Sequence, residues 1–487
     1  MIILIDILTT LHFVAMAGLA CYGLHRLWML RHWLQLSRRS AQPISWSEDD
    51  PCPLVTVQLP LFNERFVARR LIDATARLDW PVDRLQIQVL DDSTDDTCGV
   101  VDDAVAFWQT QGVDIAVLRR DNRQGYKAGA LAVATPQARG EFLALFDADF
   151  IPQQDFLRRT MGHFKQPEIG MVQARWGFLN RDQSWLTQLQ AILLGPHFGI
   201  EHRVRCRQGL FFNFNGTAGV WRRQTILDGG GWQADTVTED LDLSYRCQMK
   251  GWKFCYVDDV VVPSELPVTL GDFRGQQQRW AKGSMQTARK ILPLVLRSPQ
   301  SLGVKVEAMA HLLANLGWLC AAMASLTLYP ALLSRSTFHL WQVLLIDLPL
   351  FLLASLAILS YFFLYAYREI GWKAALWVPV LPLLTLGMAP SLAWAALCGL
   401  FQRGGVFNRT AKYGSSGDVP VKRLVSIYSH KSHRVLWVNG SLMIYSILPV
   451  VLTIQQQHWL ALPLVGLFPL GFLLVFVKDF LEVRHNG

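Results

Sequence analysis

Residues 142–150, Phe142 to Phe150, read FLALFDADF. Five of the first six are apolar or aromatic, a run that suits a strand buried on both faces. It ends on Asp147-Ala148-Asp149, with Pro152 close behind. In a parallel α/β sheet, ligands bind at the carboxyl ends of strands. Two carboxylates one residue apart at such an end suit a hard divalent cation, which in turn holds phosphate oxygens. A solvated Asp turn would leave the same local sequence, so the surrounding chain has to decide.

The flanks repeat the pattern. Residues 54–60 (LVTVQLP), 85–93 (LQIQVLDDS) and 114–120 (DIAVLRR) have strand character, while 65–78, 97–111 and 125–138 have helical character. Strands alternating with helices predict βαβ units and a mostly parallel sheet. Past residue 150 the alternation fades, but 171–176 (MVQARW), 212–221 (FNFNGTAGVW) and 253–259 (KFCYVDD) can extend the sheet. An α/β domain is therefore expected over residues 50–298.

The rest of the chain has a different composition. Of 487 residues, 17% are charged and 51% hydrophobic. Soluble domains are about 25% charged, so part of this chain is expected in lipid. The net charge of +8 is then explained by cytoplasmic Lys/Arg flanks rather than by nucleic acid. Eight cysteines without a CxxC pair suggest neither a zinc site nor a disulfide framework, and they fit a reducing compartment.

The first apolar run (2–24) is followed by Arg26, Arg31, Arg38 and Arg39. Charge after the run predicts an uncleaved anchor over 1–24, a basic flank and linker over 25–49, and a cytoplasmic domain beyond. A C-terminal membrane region is expected over 299–487, with spans near 306–332, 341–366, 435–454 and 460–479. The run 374–400 holds Pro379, Pro382 and Pro390, which argues for a re-entrant or interfacial segment over a straight span. That placement keeps the basic loop 402–434 on the cytoplasmic side, as its Lys and Arg content requires. Residues 184–202 and 285–298 either lie along a membrane surface or face a core.

Further polar clusters recur at expected strand ends or just beyond them. Asp91-Asp92-Ser93 follows LQIQVL, and Thr238-Glu239-Asp240 precedes LDLSYRC. Thr238 is placed to cap a helix whose first turn is acidic. Gln276-Gln277-Gln278-Arg279-Trp280 falls in an expected helix ahead of the membrane region. Gln276 and Arg279 share a face there, and three successive glutamines do not suit a core helix. Singly, each cluster also reads as a turn, a cap or a solvated face.

In register, the series resembles family 2 glycosyltransferases of the membrane-integrated, cellulose-synthase-like kind, above all the mannan and glucomannan synthase branch and its bacterial relatives. The residues that carry it are LPLFNE (59–64), QVLDDSTDDT (88–97), NRQGYKAGAL (122–131), FDADF (146–150), VQARW (172–176), FNGTAGVWR (214–222), TEDLDL (238–243), GWKF (251–254) and QQQRW (276–280). The resemblance implies an α/β GT-A (Rossmann-like) domain joined to a helical transmembrane region. Glu64, Asp91 and Asp92 would receive the nucleoside of a sugar nucleotide. Lys127, Gln276 and Arg279 would meet the diphosphate, with Asp147 beside it. Asp147 and Asp149 would bind Mg²⁺ or Mn²⁺. Asp240, next to Glu239, would be the catalytic base, and Trp280, Trp221 and Phe214 would form the acceptor site. Phe407–Lys412 resembles a gating loop whose Thr410 and Lys412 reach the diphosphate; Ala411 stands where a proline is common.

The function so implied is a processive, inverting β-glycosyltransferase of the inner or plasma membrane, or of the Golgi in a eukaryote. Its donor would be UDP-glucose or GDP-mannose, and its product a β-linked glucan, mannan or glucomannan, with 1,4 linkage favoured. One rival transfers a single sugar to diacylglycerol or a sphingolipid. Another is a non-catalytic scaffold or transporter, against which the intact carboxylates argue.

Overall fold

A computed structural model of the chain describes residues 2–36, 46, 50–334, 340–405, 410, 412–414 and 433–485. The α/β alternation takes the form of one seven-stranded sheet in the order β3-β2-β1-β4-β6-β5-β7. Its strands are β1 (Val55–Leu61), β2 (Leu85–Asp91), β3 (Asp114–Leu118), β4 (Phe142–Leu145), β5 (Ile169–Phe178), β6 (Gly219–Arg222) and β7 (Lys253–Ser264). β3, β2, β1 and β4 are parallel neighbours, and so are β5 and β7. Only β6 runs antiparallel, between β4 and β5. Every residue of β4 is buried, as a central strand covered on both faces requires.

Two strands are shorter than their apolar runs. β4 stops at Leu145, and Phe146–Phe150 turns out of the sheet, with the Phe150 amide donating to Asp147 O at 3.0 Å. In FNFNGTAGVW only the last residues join β6. Upstream, side chains take the amides: Phe214 N donates to Ser244 Oγ (2.9 Å) and Asn215 N to Gln173 Oε1 (3.0 Å). Backbone groups satisfied by side chains have no need of a ladder.

The segment 184–202 does not break at Gly195-Pro196. The helix Trp185–Pro196 runs on through a π-turn, His197–His202, into Arg203–Arg207. Such a turn absorbs the hydrogen bond that proline cannot make. A β-carbon on Gly195 would stand 2.4 Å from the Tyr365 hydroxyl, so this glycine lets the helix touch the apolar segment 344–370. Residues 285–298 extend the helix that carries QQQRW, Leu270–Arg297. Its Met285, Ala288, Ile291 and Val295 pack with Ala308, Leu312 and Ala396. Both segments are thus core-facing at the junction with the apolar helices.

Among the described residues, six helices are long and apolar enough to cross a membrane: Ile3–Gln35, Leu316–Ser334, Leu344–Ile370, Trp372–Phe401, Arg434–Gln455 and Leu462–Glu482. The first continues through the expected linker start to Gln35. The run expected at 306–332 is split, Leu302–Leu312 being a separate helix from Leu316–Ser334. Within Leu381–Phe401, Pro382 lies in the first turn, where no hydrogen bond is lost, and Pro390 is accommodated inside.

A buried ion cluster joins the first helix to the α/β domain. Arg26 pairs with Glu201, Arg205 Nη2 lies 3.1 Å from Glu201 and Arg205 Nε 2.8 Å from Glu307, and Tyr361 Oη donates to Glu201 at 3.2 Å. Removing one member strands opposite charges in a dry place. Glu201→Ala is expected to cost about 3–5 kcal/mol, read as a lowered Tm of the detergent-purified protein. Tyr361→Phe, which removes one hydrogen bond, should cost only about 1 kcal/mol. Equal melting of both variants would show that the cluster does not hold the junction.

Candidate active site

Parallel registry sets the site. Leu61 pairs with Asp91 and Gln58 with Leu145, so the carboxyl ends of β1, β2 and β4 open on one edge of the sheet. The helix Glu239–Met249, the helix Leu270–Arg297 and the described part of the loop at 410–414 close over that edge. One cleft is lined by Glu64 and Asp92, by Lys127, Asp147 and Asp149, by Glu239 and Asp240, by Gln276, Arg279 and Trp280, and by Thr410 and Lys412.

Lys127 is the hub of this cleft. Its Nζ donates to Asp147 Oδ1 at 2.5 Å and to the Gly216 carbonyl at 2.8 Å. Burial works against its charge, but Asp147, then Glu239 and Asp240, outweigh it and hold the ammonium above its ordinary pKa. Gly216 has φ +78°, and a β-carbon there would stand 3.0 Å from Asp240 Oδ2 and 3.3 Å from Lys127 Nζ. Glycine answers both constraints.

Asp240 sits in the first turn of its helix, with Oδ1 accepting the Leu241 amide at 2.8 Å. A helix N-terminus stabilises a carboxylate, yet here burial, then the neighbouring Glu239, win against Lys127 and push Asp240 up to about 7. Burial likewise raises Glu239, against the pull of Lys127. Thr238 occupies the N-cap position without capping through its side chain. Its hydroxyl instead meets Thr287 Oγ1 at 3.1 Å, tying this helix to Leu270–Arg297.

On that second helix, burial lowers Arg279 to about 10, against Asp272 and Asp147, so it stays charged at neutral pH. Its Nη2 donates to Thr410 Oγ1 at 2.7 Å. Lys412 Nζ reaches Asp149 Oδ2 at 2.6 Å. Phe407, Asn408, Arg409 and Ala411 lie outside the described residues.

Three expected site residues do not face the cleft. Asp91 is the last residue of β2 and buried; it accepts from the Ser93 amide and from Arg119 Nε, both at 3.0 Å. It braces the turn that presents Asp92, whose carboxylate is bound by Arg120. Trp221 and Phe214 are fully buried, their rings 5.4 Å apart and edge-on, with Phe254 against Trp221. They pack into the core and offer the cleft no surface.

Two cleft residues went unnoticed in the sequence. Glu265, just past β7, accepts the Tyr413 amide (3.3 Å), the Gly414 amide (3.1 Å) and Arg70 Nη2 (2.7 Å), and so seats the loop. A lone acid between prolines (PSELP) carries little signal. Arg123, one residue into NRQGYK, sits over the Phe62 ring, its Cζ 3.3 Å from the centroid. Its neighbourhood to Lys127 in that motif was the available cue.

Among the described residues, no three His, Cys, Asp or Glu side chains converge on a metal position. Asp147 and Asp149 remain as donors, each met by a lysine. Two hard carboxylates in a cation-neutralised cleft fit a cation that takes its other ligands from phosphates and water.

Residues 52–283 match the family model described as glycosyltransferase like family 2. Over 251 residues the chain is 45% identical to glucomannan 4-beta-mannosyltransferase 2 of Arabidopsis thaliana, covering 50% of this chain and 47% of the relative. It is 45% identical over 265 residues to glucomannan 4-beta-mannosyltransferase 1 of Oryza sativa subsp. japonica, covering 52% and 50%. The chain thus spans about half the length of these curated relatives. Its fold is similar to that of the mannosyltransferase PcManGT from Pyrobaculum calidifontis in complex with GDP-Man and Mn²⁺. There the TM-score is 0.55 at 20% identity, covering 81% of this chain and 99% of that one. The α/β region of this chain is a family 2 glycosyltransferase domain of GT-A-like fold, joined to helices apolar enough to cross a membrane.

Proposed function

We propose that the chain is a processive, inverting β-glycosyltransferase that moves mannose from GDP-mannose onto a growing β-1,4-linked mannan or glucomannan at a membrane. The observation that carries this reading is Asp240: a half-buried carboxylate raised to about 7, in one cleft with Lys127, Arg279 and Trp280. The printed names of the 45% identical relatives supply the sugar and the polymer, and weigh against transfer of a single sugar to a lipid. The fold neighbour that holds GDP-Man and Mn²⁺ supports the donor.

In this reading Glu64 and Asp92 face the nucleoside, and Lys127, Gln276, Arg279, Thr410 and Lys412 face the diphosphate. Asp147 and Asp149 would hold Mg²⁺ or Mn²⁺, which when bound offsets charge on the departing phosphates. Trp280 gives the acceptor sugar a flat face. Asp240 takes the proton of an acceptor hydroxyl, the oxygen bonds to the anomeric carbon, and the bond from that carbon to the β-phosphate breaks. GDP leaves from the opposite face, so an α-linked donor yields a β-linked product. Glu239, beside Asp240, keeps its basicity high.

Topology supports the membrane arrangement. Thr410 and Lys412–Gly414 touch the cleft, so the loop lies on the same side as the catalytic domain. An even number of crossings must then separate the two, although three apolar helices do. Trp372–Phe401 is the one that stays at the interface: half of its apolar window is buried, it packs on Leu270–Arg297, and Leu400 O accepts from Arg289 Nη1 at 2.8 Å. Their basic flanks favour the cytoplasmic side for the catalytic domain and the loop.

A base works only when deprotonated, so turnover is expected to rise with pH through about 7, the value for Asp240, and to fall below it. Asp240→Asn should lower kcat about 10²–10⁴-fold and remove that acid limb, with GDP affinity kept. The assay follows radiolabel from GDP-mannose into a β-mannanase-sensitive, high-mass fraction. Label in an organic-solvent fraction, or full activity of Asp240→Asn, would overturn the proposal. Glu265→Ala removes the acceptor of the Tyr413 and Gly414 amides; their hydrogen exchange should quicken about tenfold or more, with a raised KM for the donor.

A further inference from the structure

The helix Leu270–Arg297, which carries Gln276, Arg279 and Trp280, is held at its start by a helix about two hundred residues further along the chain. The amides of a first helical turn have no partner within the helix and need acceptors from outside it. Thr269 Oγ1 accepts the Asp272 amide at 3.0 Å. The two amides before it go to one carboxylate on the apolar helix Leu462–Glu482: Glu482 Oε1 accepts from Leu270 N at 2.9 Å, and Oε2 from Gly271 N at 3.2 Å. A carboxylate there also answers the positive end of the helix dipole. One turn earlier on the same apolar helix, both oxygens of Asp479 accept from Arg274 Nη1, each at 2.8 Å. Only 7% of the Arg274 side chain and 6% of the Asp479 side chain are exposed, so solvent does little to screen the pair.

The two sides of the helix do different things. Asp272, Gln276 and Arg279 stand at i, i+4 and i+7 and so share a face, and Gln276 and Arg279 line the cleft from it. Arg274 lies about 140° round the axis from Arg279 at 3.6 residues per turn. Its ion pair therefore fixes the rotation of the helix from the far side, while Glu482 fixes the axial position at the end. The cleft face receives the loop twice. Tyr413 Oη donates to Asp272 Oδ2 at 3.2 Å, and Arg279 Nη2 to Thr410 Oγ1 at 2.7 Å. A turn or slide of the helix would shift both landing points together with Arg279 itself.

We propose that Asp479 and Glu482 are positioning residues for donor binding: from an apolar helix they hold the helix Leu270–Arg297 in the one rotation and axial position at which Arg279 meets the diphosphate and Asp272 receives the loop. This rests on the nucleotide-sugar reading above. Neither carboxylate touches the donor; each acts through the helix it clamps. The apolar region thereby sets the affinity of the cleft for its nucleotide.

The test uses the detergent-purified full chain and its Glu482→Ala, Glu482→Gln and Asp479→Asn variants. Titration calorimetry reads GDP binding with Mg²⁺ present, the GDP-mannose assay reads KM and kcat, and hydrogen exchange reads the Tyr413 and Gly414 amides of the nucleotide-free chain. Glu482→Ala removes both acceptors at the helix start. It should weaken GDP and raise the donor KM about tenfold, change kcat less than about twofold, and quicken exchange at both amides. Glu482→Gln, which keeps one acceptor, should fall between alanine and wild type. Asp479→Asn leaves Arg274 buried without its counter-charge and should add a lowered Tm to the same loss of GDP binding. Unaltered GDP binding and exchange in Glu482→Ala and Asp479→Asn would overturn the proposal. So would a fall in kcat at unaltered KM, or losses that only track the fall in Tm. If wild type bound no GDP, the donor reading itself would fall, and exchange in the nucleotide-free chain would still decide whether the clamp holds the loop.

Discussion

The cleft depends on one half-buried ammonium, that of Lys127. Asp147, Glu239 and Asp240 are drawn together by elements far apart in the chain, and in low dielectric their mutual repulsion is poorly screened. Lys127 answers it from the helix Tyr126–Ala134, touching one carboxylate directly and the other two through the field. The compensation is incomplete. Glu239 and Asp240 stay above their ordinary values because burial removes water faster than one cation replaces it. Incomplete compensation is what gives a carboxylate the basicity to accept a hydroxyl proton near neutral pH.

The same cleft depends on the apolar helices. The helix Leu270–Arg297 presents Arg279 and Trp280 at its middle and packs its later turns on Ala395 and Ala396 of the segment 381–401. The helix through residues 185–207 is clamped by Arg26 from the first apolar helix and by Glu307 from Leu302–Leu312. That clamp reaches the cleft wall by a short path: His197 Nε2 lies 2.8 Å from Asn215 Oδ1, and Asn215 lines the cleft beside Gly216. The cleft and the apolar helices are thus parts of one packed unit.

Some of the site was legible in the linear chain. The motif residues Asp147, Asp149, Asp240, Lys127, Gln276, Arg279 and Trp280 do meet, because strand ends and helix starts are local features with local signatures. Other assignments needed coordinates. Asp91 and Asp92 are adjacent, and neighbouring residues at a strand end point to opposite sides; only the pairing of Asp91 with Arg119 and of Asp92 with Arg120 shows which one is presented. The resemblance put Trp221 and Phe214 in the acceptor site, yet packing turns both into the core. Glu265 and Arg123 meet partners far away in the chain, Arg70, Tyr413 and Gly414 for Glu265 and Phe62 for Arg123, for which no spacing rule exists.

By itself, then, the sequence determined the alternation of buried strands with helices, the division into an α/β domain and apolar helices, and the chemical type of the residues at strand ends. Those follow from periodicity and composition over a few residues, where the physics is short-ranged. The tertiary structure alone decided which carboxylates share a cation, which tryptophan lines the cleft, where the described part of the loop docks and which cation sits over an aromatic ring. These depend on strand register and on the packing of distant helices, and a side chain's surroundings are set by that global geometry rather than by its neighbours along the chain.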